Sequence, residues 1–290
     1  MTGSTPFRKM NGLGNDFVVL DARPRALSLG PDAVRAIADR KEGIGCDQII
    51  ALEPSRQADV FMRIWNADGG EVGACGNAAR CVAALVAAER GQSKVSIETE
   101  SGVLGAVVNE DGSVTIDMGA PRFGWNEIPL AEPFHDTRRI ELQVGPIDDP
   151  VLHTPSVVNV GNPHCLFFVD DVEAHDLGRF GPMLEHHPLF PERANISLVQ
   201  VLGPDAIMLR TWERGAGLTR ACGTAACAAS VAAARRELTG RKVKVTLPGG
   251  DLLIEWREGD GHILMTGPYA LDFEGQLPQE LFNPVHSPSP

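Results

Sequence analysis

Apolar residues along this chain fall into short blocks rather than long helical stripes. Phe17-Val18-Val19-Leu20 and Cys165-Leu166-Phe167-Phe168-Val169 are continuous apolar runs of strand length and predict buried strands. Val60 to Trp65 and Ala206 to Trp212 alternate apolar with polar residues, as half-buried strands do. Val95 to Thr99, Leu104 to Val108 and Val114 to Met118 are short strand-like segments separated by Gly102 and by the Asn109-Glu110-Asp111-Gly112 turn. Val243 to Leu247, Leu252 to Trp256 and His262 to Met265 repeat that order. Asp32 to Arg40 reads as a helix. Each group of strands also contains one Ala-rich helical segment. The first begins near Asn77 and stops at Gly91, with Arg90 in its last turn. The second begins near Thr224, runs to Arg235-Arg236, and is closed off by Gly240. Asn77 and Thr224 are N-cap residue types, and the alanines let each helix lie close to surrounding strands.

The repetition extends to single residues. Ala74-Cys75-Gly76-Asn77-Ala78-Ala79 resembles Ala221-Cys222-Gly223-Thr224-Ala225-Ala226, an offset of 222 − 75 = 147. Without a gap, that offset also places Gly14-Asn15 on Gly161-Asn162, Gln48 on Asn195, Arg63 and Trp65 on Arg210 and Trp212, Thr99 and Gly102 on Thr246 and Gly249, and Pro121 on Pro268. A period this long predicts two homologous domains rather than a solenoid. The expected fold is α+β (α/β): two pseudo-symmetric domains from an internal duplication, each a barrel-like mixed sheet around a central helix. The expected halves are 1–121 with 268–280, and 122–267. Residues 281–290, which include Pro284, Ser287 and Ser289, read as a mobile tail.

Composition narrows the function. Of 290 residues, 43% are hydrophobic and 22% charged, which predicts a soluble globular protein. A formal net charge of -12 argues against nucleic acid or an anionic membrane as partner, but leaves room for a small anionic substrate at a locally positive site. No apolar run approaches a membrane span, and Met1 to Pro6 lacks the pattern of a signal peptide, so a cytoplasmic location is expected. The six cysteines, Cys46, Cys75, Cys81, Cys165, Cys222 and Cys227, are then expected to be free thiols, and no pair has the C-x-x-C spacing of a zinc or redox site.

Only Cys75 and Cys222 superpose under the offset, and both stand just before a helix start. Amides at such a start bind a carboxylate, and the helix dipole favours thiolate. Gly76 and Gly223 let a ligand approach the backbone. One thiolate acting as base and one thiol acting as acid would invert a carbon held between them, without pyridoxal phosphate or any other cofactor. Positions that differ between the halves then mark recognition of a chiral substrate: Asn66 falls on Glu213, Ala67 on Arg214, and Phe17 on His164. Glu213 offers a carboxylate for an ammonium group and Arg214 a guanidinium for a carboxylate. Asn15, Gln48, Asn66, Asn162 and Asn195 add amides. His164 has no second His or carboxylate at metal-ligand spacing, so no metal is expected, and it takes a supporting place near the site.

With these residues in place, the sequence resembles the diaminopimelate epimerases. The matching segments are Met10 to Phe17, Gly45 to Gln48, Asn66 to Gly69, Ala74 to Asn77 with Arg80-Cys81, Gly161 to His164, Glu213 to Gly215, and Ala221 to Thr224. The resemblance implies Cys75 and Cys222 as the acid/base pair. It implies Gly76, Asn77, Gly223 and Thr224 around the carboxylate at the reacting centre. Asn15, Gln48, Asn66, Asn162, Asn195, Glu213 and Arg214 would bind the rest of the substrate, with His164 and Glu213 tuning catalysis. It further implies an active site in the cleft between the two domains, conversion of LL- to meso-diaminopimelate for lysine and peptidoglycan synthesis, a homodimer, and a last segment packed back on the first domain. Ala78, Ala225 and Leu218 depart from the usual Gly, Gly and Glu. The competing readings are a histidine or proline racemase of the same architecture, a non-catalytic metabolite-binding protein, and a thiol hydrolase.

Overall fold

The computed structural model describes residues 4–282. The chain divides into two compact units, one ending at Ile116 and resuming at Pro268, the other spanning Asp117–Gly267. The first begins with β1 (Ser4–Gly12), β2 (Asn15–Asp21), α1 (Pro31–Ala38), β3 (Gln48–Glu53), β4 (Val60–Asn66) and β5 (Glu71–Val72). It continues with α2 (Gly76–Arg90), β6 (Lys94–Thr99), β7 (Gly102–Val108) and β8 (Val114–Asp117). β2 and β3 run parallel, β4 returns antiparallel to β3, and β6 lies parallel to β4. Parallel neighbours need a crossover, and α1 and α2 supply them. α2 buries every residue from Gly76 to Ala84 and packs on β1, β4, β6 and β7.

The second unit contains a short pair, β9 (Gln143–Val144) and β10 (Leu152–His153). Then follow β11 (Ser156–Asn159), β12 (Pro163–Phe168), α3 (Leu177–Glu185), β13 (Asn195–Gly203), β14 (Ala206–Glu213) and β15 (Gly217–Thr219). α4 (Gly223–Arg235), β16 (Lys242–Leu247), β17 (Gly250–Trp256) and β18 (Ile263–Gly267) complete it. α4 touches β11, β12, β13, β14, β16, β17 and β18, so the mixed sheet curves around it. Alanine makes this possible, because a helix bare of long side chains fits inside a curved sheet.

The duplication is visible in the pairing register. Phe17 faces Gln48 as His164 faces Asn195, and Ile49 faces Trp65 as Ile196 faces Trp212. Past the central helix the gapless offset fails. Ile97 faces Leu104 as Val245 faces Leu252, an offset of 148. α4 is two residues shorter than α2 (13 against 15), and the connection to the next strand is three longer (236–241 against 91–93), so the net slip is one residue. Gly91 ends α2 in the left-handed conformation, whereas α4 is capped at Arg236 and followed by Glu237 at φ 60°, several residues before Gly240.

The last strand, Ala270–Pro278, pairs antiparallel with β1, returning the chain to the first unit. Leu281 and Phe282 close a 3-10 turn, and Phe282 is buried with Phe7, Leu20 and Ile37. A tail beginning at 281 is therefore corrected: burial of Phe282 holds the chain to that point, and residues 283–290 lie outside the described residues.

Candidate active-site residues in each unit

In both units the same end of the sheet collects the polar residues. β2 and β3 start there, β4 ends there, and α2 begins there; β12, β13, β14 and α4 repeat the arrangement. Cys75 and Cys222 are themselves the N-cap residues, with extended backbones (φ −149°, ψ 111° and φ −119°, ψ 107°). Asn77 and Thr224, expected as caps from their residue types, are instead the second residues of the helices. Gly76 and Gly223 already have helical backbone and start the turn. The first helical bonds are Ala79 N–H to Cys75 O and Ala226 N–H to Cys222 O, so the first-turn amides of each helix point out of its end.

In the first unit the β1–β2 hairpin presents Asn15. Its two turn residues, Leu13 and Gly14, have φ of 59° and 81°, the left-handed pair a tight hairpin requires. Asn15 Nδ2 donates to Asp47 Oδ2 at 2.8 Å, which turns Oδ1 toward Asn77 Nδ2 at 3.2 Å and the Cys75 thiol at 3.8 Å. Asp47 and Asp16 each accept the other's backbone N–H, and Lys9 and Arg40 bind Asp16. Burial alone would raise the Asp16 carboxyl, but hydrogen bonds from Arg40 and Lys9 hold it down at about 2. Behind the helix start, Arg80 is fully buried and donates to Asn77 Oδ1 and Pro268 O. Gln48 Nε2 donates to Asn66 Oδ1 at 3.0 Å, while Gln48 Oε1 is buried with no hydrogen-bond partner. An orphaned buried acceptor is costly and points to a missing donor.

In the second unit Cys222 is 4% exposed. Burial, and then the Glu213 carboxylate beside it, push the thiol well above its ordinary value, against the Thr224 hydroxyl and the Ala225 amide. The pull of the helix dipole toward thiolate, expected at each helix start, is outweighed at Cys222 by desolvation and a neighbouring negative charge. Thr224 Oγ1 lies 3.4 Å from the sulfur, and Thr219 donates to Glu213 Oε1. His164 is fully buried, and desolvation followed by the Arg214 charge lowers it to about 3. It is neutral at physiological pH. Its Nε2 lies 2.8 Å from Asn162 Oδ1, which requires Nε2–H, and Nδ1 is then a buried lone pair without a partner. Asn195 Nδ2 donates to Pro163 O, and Asn195 Oδ1 accepts the Arg214 N–H at 2.9 Å.

The candidates therefore assemble within their own units. Asn15, Gln48, Asn66, Cys75, Gly76 and Asn77 gather in the first; Asn162, His164, Asn195, Glu213, Arg214, Cys222, Gly223 and Thr224 gather in the second. Cys46 and Cys81 are buried thiols that desolvation pushes up to about 11 and about 12, and Cys165 is raised likewise. Sequence reasoning missed Asp47, Arg80, Thr219 and Glu185. The first two stand inside quoted motifs, where a charged residue flanking Gln48 or Asn77 was a usable signal. Glu185 lies on a helix that the apolar pattern did not reveal. Among the described residues no group of three or more His, Cys, Asp or Glu could hold a metal ion, and no helix is long and apolar enough to cross a membrane.

The family model for diaminopimelate epimerase matches residues 7–124 and 156–271, one stretch in each half. A diaminopimelate epimerase of Rhodopseudomonas palustris (strain BisB5) is 56% identical over 279 residues, covering 95% of this chain and 94% of that protein. One of Rhodospirillum centenum is 58% identical over 277 residues, covering 95% and 93%. Among solved structures, a predicted epimerase from Pseudomonas aeruginosa superposes with TM-score 0.66 at 22% identity, covering 94% of this chain and 99% of that one. A hydroxyproline epimerase from Agrobacterium vitis with bound trans-4-hydroxy-L-proline gives 0.67 at 16%, covering 98% and 95%. At these identities the structures speak to the fold alone.

Proposed function

The chain belongs to the diaminopimelate epimerase family, and from that premise we propose that it interconverts LL- and meso-diaminopimelate with Cys75 and Cys222 acting on opposite faces of one α-carbon. One thiolate takes the α-proton, and the electron pair left on carbon delocalises into the adjacent carboxylate. The other thiol delivers its proton to the opposite face, so the two sulfurs end with exchanged protonation states. The carboxylate gains charge in the transition state, and first-turn amides at a helix start favour such a charge.

The observation that carries this reading is the matched pair of cysteine N-caps, at one offset and with the same extended backbone, in a chain whose other thiols lie at no helix start. The protonation states follow from the surroundings. Cys222, held as thiol by burial and Glu213, is the resting acid, which leaves Cys75 as base in that direction. In the reverse direction the exchanged pair is used: the Cys222 thiolate left by the forward turnover takes the α-proton, and the Cys75 thiol delivers one to the opposite face. Arg214 and the amides of Asn15, Gln48, Asn66, Asn162 and Asn195 suit the second amino-acid end of the substrate, which proline and histidine lack. The orphaned Gln48 Oε1 would accept from an ammonium group there.

The family resemblance supports a cytoplasmic homodimer, whose mass light scattering would check. The activity is tested by a panel of diaminopimelate, proline and histidine with the dialysed protein in deuterated water. α-Deuterium should enter diaminopimelate alone. Exchange confined to proline or histidine would reject the substrate and keep the two-thiol chemistry.

A further inference from the structure

Under the 147 offset, α1 superposes on α3 and Trp65 on Trp212, yet the two tryptophans are held differently. In the first unit Trp65 lies in an apolar cluster with Val34 and Ala38 of α1. The matching residues of the second unit are Gly181 and Glu185. Glu185 is 3% exposed, and its carboxylate accepts two hydrogen bonds with a cation close by. Trp212 Nε1 donates to Oε2 at 2.7 Å, the Gly215 N–H donates to Oε1 at 3.0 Å, and Arg193 lies 3.6 Å from Oε1. A Cβ at Gly181 would run into the indole, so glycine lets α3 close onto Trp212. Gly217 lies against the far edge of the same ring.

Between Trp212 and Gly217 runs the turn that carries Glu213 and Arg214, with Gly215 and Gly217 at φ 76° and 84°. A glycine-rich turn has little intrinsic rigidity. A buried carboxylate accepting one bond from the side chain before the turn and one from its backbone supplies that rigidity, and charge-assisted bonds are about twice as strong as neutral ones. Where the first unit has Asn66-Ala67 and apolar packing, the second has Glu213-Arg214 and this brace.

We propose that Glu185 is a positioning residue that fixes the Glu213–Arg214 turn, so that Arg214 and Glu213 meet the substrate in one geometry. The inference rests on the epimerase reading above. Glu185→Gln tests it: its amide can accept from Trp212 or from Gly215, but its NH2 then faces the other donor. The expected result is a KM for diaminopimelate raised about tenfold, a smaller fall in kcat, and a thermal midpoint close to that of the parent. In a double-mutant cycle with Arg214→Lys the losses should be non-additive. Trp212→Phe, which drops one donor together with the ring edge against Gly217 but leaves the Gly215 bond to Glu185, should change KM by less than Glu185→Gln does.

A readout that needs no substrate is hydrogen exchange of the Gly215 amide, which should quicken in Glu185→Gln. Unchanged KM together with unchanged exchange would overturn the proposal, as would an activity loss that tracks thermal stability and adds to that of Arg214→Lys. A parent enzyme inactive on diaminopimelate would refute the functional reading instead, and the exchange measurement would still decide the role of Glu185.

Discussion

Burial and the Glu213 carboxylate hold the Cys222 thiol protonated, while the Thr224 hydroxyl and the Ala225 amide oppose them. Alkylation of Cys222 by iodoacetamide, followed by peptide mass, should therefore rise only at a pH well above that at which an ordinary exposed thiol reacts. Glu213→Gln removes the like charge and should move that rise to lower pH; an unmoved profile would show that the carboxylate does not act on the sulfur. His164 makes a second prediction. Its pKa is about 3 folded and about 6.5 unfolded. Between these values the unfolded chain binds more protons, so stability is complete above about pH 6.5 and falls as the pH drops through the window. From pH 6.5 to 5, before carboxylates contribute much, the slope should approach about 1.4 kcal/mol per pH unit. Urea midpoints should show that slope in the parent and lose it in His164→Gln. At this scale the two candidate cysteines were legible because both precede Gly at matched positions. Their protonation was not, because desolvation depends on neighbours distant in sequence, such as Glu213 next to Cys222.

The central helices were legible as elements because alanine runs bounded by glycine or by paired arginines leave few alternatives. Their packing makes them intolerant of size: Ala228 is fully buried in α4, so Ala228→Leu should cost about 1–3 kcal/mol by overpacking, measured by urea denaturation. α3 escaped notice. Its Gly178-Arg179-Phe180-Gly181-Pro182 stretch resembles a loop, yet Asp176 caps it by accepting the Arg179 N–H, and Leu177 and Leu184 bury its inner face. The slip after α4 was invisible for a related reason. A helix two residues shorter followed by a connection three residues longer leaves the residue types in a plausible gapless match, and only the pairing of Val245 with Leu252 exposes it. The Lys9–Asp16 pair on β1 and β2 is nearly buried and sits under the Asn15 hairpin. Lys9→Met removes one of two cations on Asp16, leaving Arg40, and should destabilise the protein by about 1–2 kcal/mol, with a fall in activity as the Asn15 hairpin loses part of its support.

At the scale of the molecule, a duplication supplied two copies of one framework, and function follows from where the copies diverged. The first unit places a buried guanidinium, Arg80, behind its helix start; the matched residue of the second is Cys227, and a carboxylate, Glu213, stands beside its cysteine instead. A guanidinium behind one helix start and a carboxylate beside the other cysteine make the two matched frameworks electrostatically unlike. The central claim is that two thiols serve one carbon, and it is tested most directly by following LL-diaminopimelate in deuterated water during the first turnovers. If one residue removes the proton and a different one, equilibrated with solvent, returns it, meso product should carry deuterium at the inverted α-carbon from the start while unreacted LL substrate stays protiated. Product that retains the substrate's own hydrogen, or LL substrate labelled as fast as product, would contradict the account.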